Sequence, residues 1–138
     1  MIAPSAEPRL RDIVEAIGYI RSDIENITLE SFAGDRRKRW QIERGLEIVS
    51  EASRHLPEDM KARHPEIPWR KFAGIGNVLR HEYTRVAADA IWRLVRDDLA
   101  ELDQVCRAEL AALPPNPRQA RLMGWIPSGF LASHTRRD

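Results

Sequence analysis

The segment GIGNVLRHEYTRV, residues 74–86, gathers the side chains of this chain best suited to chemistry. On a helix, Gly76, Asn77, Arg80, His81 and Thr84 fall at i, i+1, i+4, i+5 and i+8 and share one face, while Ile75, Leu79 and Val86 fall mainly on the other. Asn77 and His81 are one turn apart and can share a ligand. A guanidinium such as that of Arg80 holds a phosphate with a fixed charge, and an imidazole such as that of His81 exchanges a proton near neutral pH. Tyr83 adds a hydroxyl near the helix end. Together these are the parts for metal-free cleavage of an RNA phosphodiester: a base for the 2′-OH proton, a cation for the crowded phosphate and an acid for the leaving oxygen. Taken by spacing alone, the same residues also suit a solvated helix end. Gly76 weighs against that reading, because a glycine inside a helix costs about 1 kcal/mol relative to alanine and permits another group to approach closely.

The elements that would position this face are helical throughout. Leu10, Ile13, Val14, Ile17, Ile20, Ile24 and Ile27 form one apolar stripe and predict a helix over about 8–27. A turn follows, with Thr28 as a cap and Gly34 as a break. Asp35 is placed to cap a second helix over about 36–56, marked by Trp40, Leu46, Val49, Ala52 and Leu56 with Ile42 and Ile48 beside the stripe. Pro57 opens a short third helix to about 63, HPEIPW is a connector, and Pro68 starts a fourth helix to about 82. A long fifth helix is expected over about 87–112, stopped by Pro114 and Pro115. With no strand alternation and no internal repeat, the expectation is an all-α fold, an antiparallel bundle of four to five helices.

The chain has 138 residues and one cysteine, Cys106, which suits one domain without an internal disulfide. There is no signal-peptide pattern and no run near the roughly 20 apolar residues of a membrane span, so no membrane association and a cytoplasmic home are expected. Formal charge is +1, divided into −2 over residues 1–113 and +3 over 114–138. The body is therefore no general polyanion binder, and any contact with nucleic acid should be local. Residues 1–113 are read as the helical domain and 114–138 as a Pro- and Arg-rich tail, mobile or locally docked, in which Trp125 is the tryptophan favoured for a partner contact.

Read in order, RLRDIVEAIGYI (9–20), SFAGD (31–35), RGLEIVSEAS (44–53), PEIPWRKFAGIGNVLRHEYTRV (65–86) and IWRLVRDDLAEL (91–102) resemble the HepT-like ribonuclease toxins, a family of helical HEPN domains. The resemblance covers about residues 9–105. It implies a HEPN-like bundle that forms a homodimer with two copies of the motif facing one cleft. It also implies an RNA substrate, and a cognate MNT-type nucleotidyltransferase antitoxin that silences the toxin by adding AMP to a motif tyrosine. Asn77, His81 and Tyr83 match the family motif by position. The arginine of that motif falls on Gly76, so Arg80 is the residue left to supply a guanidinium from one turn further along. The stretch RGLEIVSEAS stands where the family tends to show a run like LEIIGEAA.

The site expected is thus Asn77, Arg80, His81 and Tyr83, with Tyr83 also the modification target, and no cofactor or metal. His55 and His64 flank the short third helix without ligand spacing. Glu51 is expected as a buried hydrogen-bonding partner rather than a catalyst, Trp40, Trp69 and Trp92 as core, and Glu43, Glu47 and Glu51 with Arg39 and Arg44 also have the pattern of a solvated helix face. The second reading, favoured by Gly76, is a non-catalytic subunit that binds a nucleotide or a nucleotidyltransferase.

Overall fold

The Asp35 carboxylate accepts the Lys38 amide at 3.0 Å and so caps the helix that organises the molecule, α3, Arg36–Arg54. The computed structural model describes residues 5–81 and 85–114 together with 118, 122 and 124, and only the backbone at 81 and 85–87. Among the described residues the elements are α1 Glu7–Ile24, α2 Leu29–Gly34, α3, α4 Glu58–Ala62, α5 Trp69–His81, α6 Arg85–Asp97 and α7 Leu99–Ala112, with no strand. The fold is all-α and HEPN-like. No helix among the described residues is long and apolar enough to cross a membrane.

The bundle is built around α3, which packs on α1 along one flank and α5 along another, while α7 closes on α1 and α6 on α2. The stripe of α1 is buried at Leu10, Ile13, Ala16, Ile17, Ile20 and Ile24, as the periodicity requires. It meets Ile42, Leu46, Val49 and Ala52 of α3, all at most 2% exposed. The helices approach closely at Gly45, where a β-carbon would lie 2.7 Å from Cγ1 of Ile20. Only glycine leaves room for that crossing without displacing a core side chain. Asn26, at φ 67°, turns the chain after α1 in the left-handed region that asparagine tolerates.

Three details differ from the sequence expectation. The turn after α1 is itself a helix, α2, because the Thr28 hydroxyl caps it by accepting the Ser31 amide at 3.1 Å and because Phe32 is buried within it. The long fifth helix is two, broken at Asp98, whose carboxylate accepts from Lys71 on α5. The buried stripe Leu94, Val95, Leu99, Leu102 and Cys106 continues through this break, so periodicity alone cannot show it. Trp40 is 57% exposed, where core was expected. It lies two residues, about 200° on a helix, from buried Ile42 and therefore on the solvent side. Trp69 and Trp92 do pack against the core. The Trp69 indole donates to the carbonyls of Lys61 and His64, and Trp92 lies 5.4 Å from the ring of Phe32.

Phe72 anchors α5 with no exposed surface. Phe72→Ala is expected to lower the unfolding free energy by about 3–5 kcal/mol, the cost of an aromatic-sized cavity in a core. A shifted denaturation midpoint with an unchanged m-value would show it.

Candidate active site

Pro68 cannot donate a helical hydrogen bond and has its φ preset, and α5 begins directly after it. Phe72, Ile75 and Leu79 bury one side of α5, which leaves Asn77 and Arg80 exposed on the other. His81 is the last residue of α5. Its side chain, and the whole of Tyr83 and Thr84, lie outside the described residues, as does Trp125. The structure thus brings Gly76, Asn77, Arg80 and the backbone of His81 onto the final turns of one helix.

Gly76 is buried, and the reason lies on α3. The Ser50 hydroxyl, fully buried, donates to the Ala73 carbonyl at 3.0 Å and accepts from the Gly76 amide at 3.4 Å. A β-carbon on residue 76 would stand 3.7 Å from that hydroxyl and 3.4 Å from Nη1 of Arg80. The Arg80 guanidinium therefore folds back over the bare backbone of Gly76. A charged fork comes to rest close to the position from which a side chain at 76 would start, although it belongs to a residue one turn later. Ser50 is the polar neighbour that residue-by-residue reading passed over. Its signal was present in the sequence, since Ser50 and Gly76 both depart from the family pattern and prove to be in contact.

Ser50 lies beside Ala73 and Gly76, and Leu46, one turn earlier, lines an apolar groove with Lys71, Ile75, Val78 and Leu79 of α5. Arg39 and Glu43 share the α3 face of Ser50, at i, i+4 and i+11. Neither is fully solvated, contrary to expectation. Both are half-buried, and the Arg39 Nε is buried with no partner among the described residues. Burial pushes the Glu43 carboxyl up from its ordinary value, against the opposing pull of Arg39.

Glu51 is exposed, which fits the solvated face and overturns the buried-partner expectation. It is only 20° or so around the helix from Trp40. Its carboxylate accepts from Arg54 at 2.8 Å and pairs with the His55 ring at 2.9 Å. Hydrogen bonding from His55, then the charge of Arg54, holds its carboxyl below the ordinary value. Glu109 on α7, only 12% exposed, pairs with Arg63 at 2.9 Å and His64 at 2.6 Å. The hydrogen bond from Arg63 is the main reason its carboxyl is held low. His55 and His64 thus each face a carboxylate, and His64 helps to fasten the connector before α5 onto α7. Burial pushes the Cys106 thiol up to about 12, so it is an inert core group. Among the described residues no three or more His, Cys, Asp or Glu side chains gather as a metal-binding set.

Residues 13–109 match the family model described as Ribonuclease HepT-like, and the chain belongs to that family. Among its relatives is a "Probable ribonuclease HepT" of Thermococcus cleftensis, 40% identical over 93 residues, covering 67% of this chain and 84% of the relative. A "Putative RNase" of Caldanaerobacter subterraneus subsp. tengcongensis is 30% identical over 97 residues, 70% of this chain and 87% of the relative. Another, of Methanocaldococcus jannaschii, is 29% identical over 93 residues, 67% and 85% respectively. No solved structure matches the chain.

Proposed function

We propose that this chain is a metal-independent endoribonuclease toxin of a HEPN/MNT toxin–antitoxin pair, acting in the cytoplasm as a homodimer. The observation that carries the proposal is the placement of the Arg80 guanidinium over Gly76, 3.4 Å from where a side chain there would begin. It supports Arg80 as the cation, on the same helix face as Asn77, in place of the motif arginine that this chain lacks at position 76.

In this mechanism His81 serves as general base or acid. A base takes the proton of the 2′-OH, the 2′-oxygen bonds to phosphorus, and the bond from phosphorus to the 5′-oxygen breaks as that oxygen takes a proton. Arg80 neutralises the charge that builds on the phosphate, and Asn77 orients the phosphate. The products are a 2′,3′-cyclic phosphate and a 5′-hydroxyl. Tyr83 orients the substrate and is the regulatory residue. A nucleotidyl group on its oxygen would place bulk and negative charge in the site, where Arg80 could pair with it in place of the RNA phosphate.

Purified protein should cleave total RNA with and without a chelator. Co-expressed with the nucleotidyltransferase from its own genomic neighbourhood, it should gain mass in multiples of AMP, and the gain should vanish in Tyr83→Phe. An unmodified protein, or a gain that persists in Tyr83→Phe, would remove Tyr83 from the scheme. Gly76 itself favours a second reading, a non-catalytic subunit that binds a nucleotide or a nucleotidyltransferase. Intact RNA after incubation, together with a stable complex with that enzyme, would select it.

A further inference from the structure

The first turn of α3 reads RRKR, followed by Trp40. Four consecutive cations at the N-terminal end of a helix oppose the helix dipole, and no acidic residue accompanies them in that turn. Arg36, Arg37 and Lys38 enter no salt bridge among the described residues. Arg36, Arg37, Trp40 and Arg44, at i, i+1, i+4 and i+8, occupy one exposed strip, in which, among the described residues, only Arg44 has an ion-pair partner, Glu47 at 3.4 Å. Helix stability explains none of this, and a large indole held 57% in solvent contributes nothing to the core.

We propose that this strip binds single-stranded RNA, with Trp40 stacking on an unpaired base while Arg36 and Arg37 hold the flanking phosphates. Three observations support it. The strip alternates guanidinium groups with an aromatic face, the combination that grips backbone and bases of a single strand without reading sequence. It adjoins the half-buried Arg39 and Glu43, which share the α3 face of Ser50. Trp40 and Ser50 are ten residues apart, roughly 15 Å along the helix, a distance spanned by a few nucleotides leading toward Arg80. The inference rests on the ribonuclease reading for the direction of the strand, and it narrows the substrate to RNA with unpaired bases, since a paired base offers no face to Trp40.

The test uses the full chain and a short fluorescein-labelled single-stranded RNA with 2′-O-methyl groups, which can bind but not be cut. Anisotropy reports affinity, light scattering reports mass, and cleavage of unmodified RNA is followed in parallel. Trp40→Ala should weaken binding about tenfold or more, the scale of one lost base stack, while Trp40→Phe retains most of it. The pair Arg36→Ala and Arg37→Ala should weaken binding and lower the slope of log K against log salt by about 1.4, or 0.7 for each lost phosphate contact. A duplex of the same sequence should compete poorly. Circular dichroism should be unchanged, because every substituted side chain is exposed. Affinity and salt slope equal to the parent's would overturn the proposal, and so would a parent that does not bind the RNA. So would a Trp40→Ala variant that changes mass but not affinity, since the indole would then be a protein contact. Cleavage with an unaltered KM in Trp40→Ala would reject the strip and keep the ribonuclease reading. Loss of binding in a protein that never cleaves would keep the strip and reject catalysis.

Discussion

His81→Ala should lower the rate of RNA cleavage by about 10²-fold or more, the usual contribution of a positioned general acid–base group. The effect should fall on kcat and leave RNA affinity close to the parent's, because phosphate binding belongs to Arg80 and Asn77. The variant should also fold normally. α5 is held by Phe72, Ile75 and Leu79, all upstream of its last residue, His81. A single-turnover assay with saturating protein separates the chemical step from binding. If His81→Ala cleaves as fast as the parent, His81 has no catalytic part and the binding-subunit reading takes its place.

Arg80→Ala should cost about 10²–10³-fold, as expected for removing a charged donor aimed at a developing oxyanion. Arg80→Lys should lose less, since it keeps the charge but not the planar fork. The structure adds a sharper form of this experiment. The Arg80 guanidinium lies 3.4 Å from where a β-carbon at 76 would stand, so an arginine introduced by Gly76→Arg in the parent shares that space with it. In the Arg80→Ala background that space is empty, and Gly76→Arg should then recover much of the lost activity. Ser50, 3.7 Å from a β-carbon at 76, is the next neighbour to accommodate, and Ser50→Gly should widen the recovery. Full activity in Arg80→Ala would mean that this guanidinium is only a surface charge.

How much of this was legible beforehand depended on the kind of signal. Helices with a one-sided apolar stripe, α1 and α3, follow directly from spacing, and the start of α3 also from its Asp35 cap. α2 was hidden because six residues hold too little periodicity to separate a helix from a turn. The break at Asp98 was hidden because the buried stripe runs through it unchanged. For the site, residue types and the family resemblance singled out Asn77, Arg80, His81 and Tyr83. Neither could say that Ser50 reaches across to the Gly76 amide, or that Arg80 folds backward, since both depend on how α3 and α5 face each other. Trp40 shows the opposite failure. Its residue type points to the core, whereas its angle from Ile42 places it in solvent.

The most direct measurement is the chemistry of the cut ends, determined on RNA digested by the purified protein in the presence of a chelator. Attack by the 2′-oxygen under His81 and Arg80 predicts fragments ending in 2′,3′-cyclic phosphate and beginning with 5′-hydroxyl, absent from His81→Ala digests. Intact RNA, or fragments with 3′-hydroxyl and 5′-phosphate ends formed only when metal is supplied, would contradict the account.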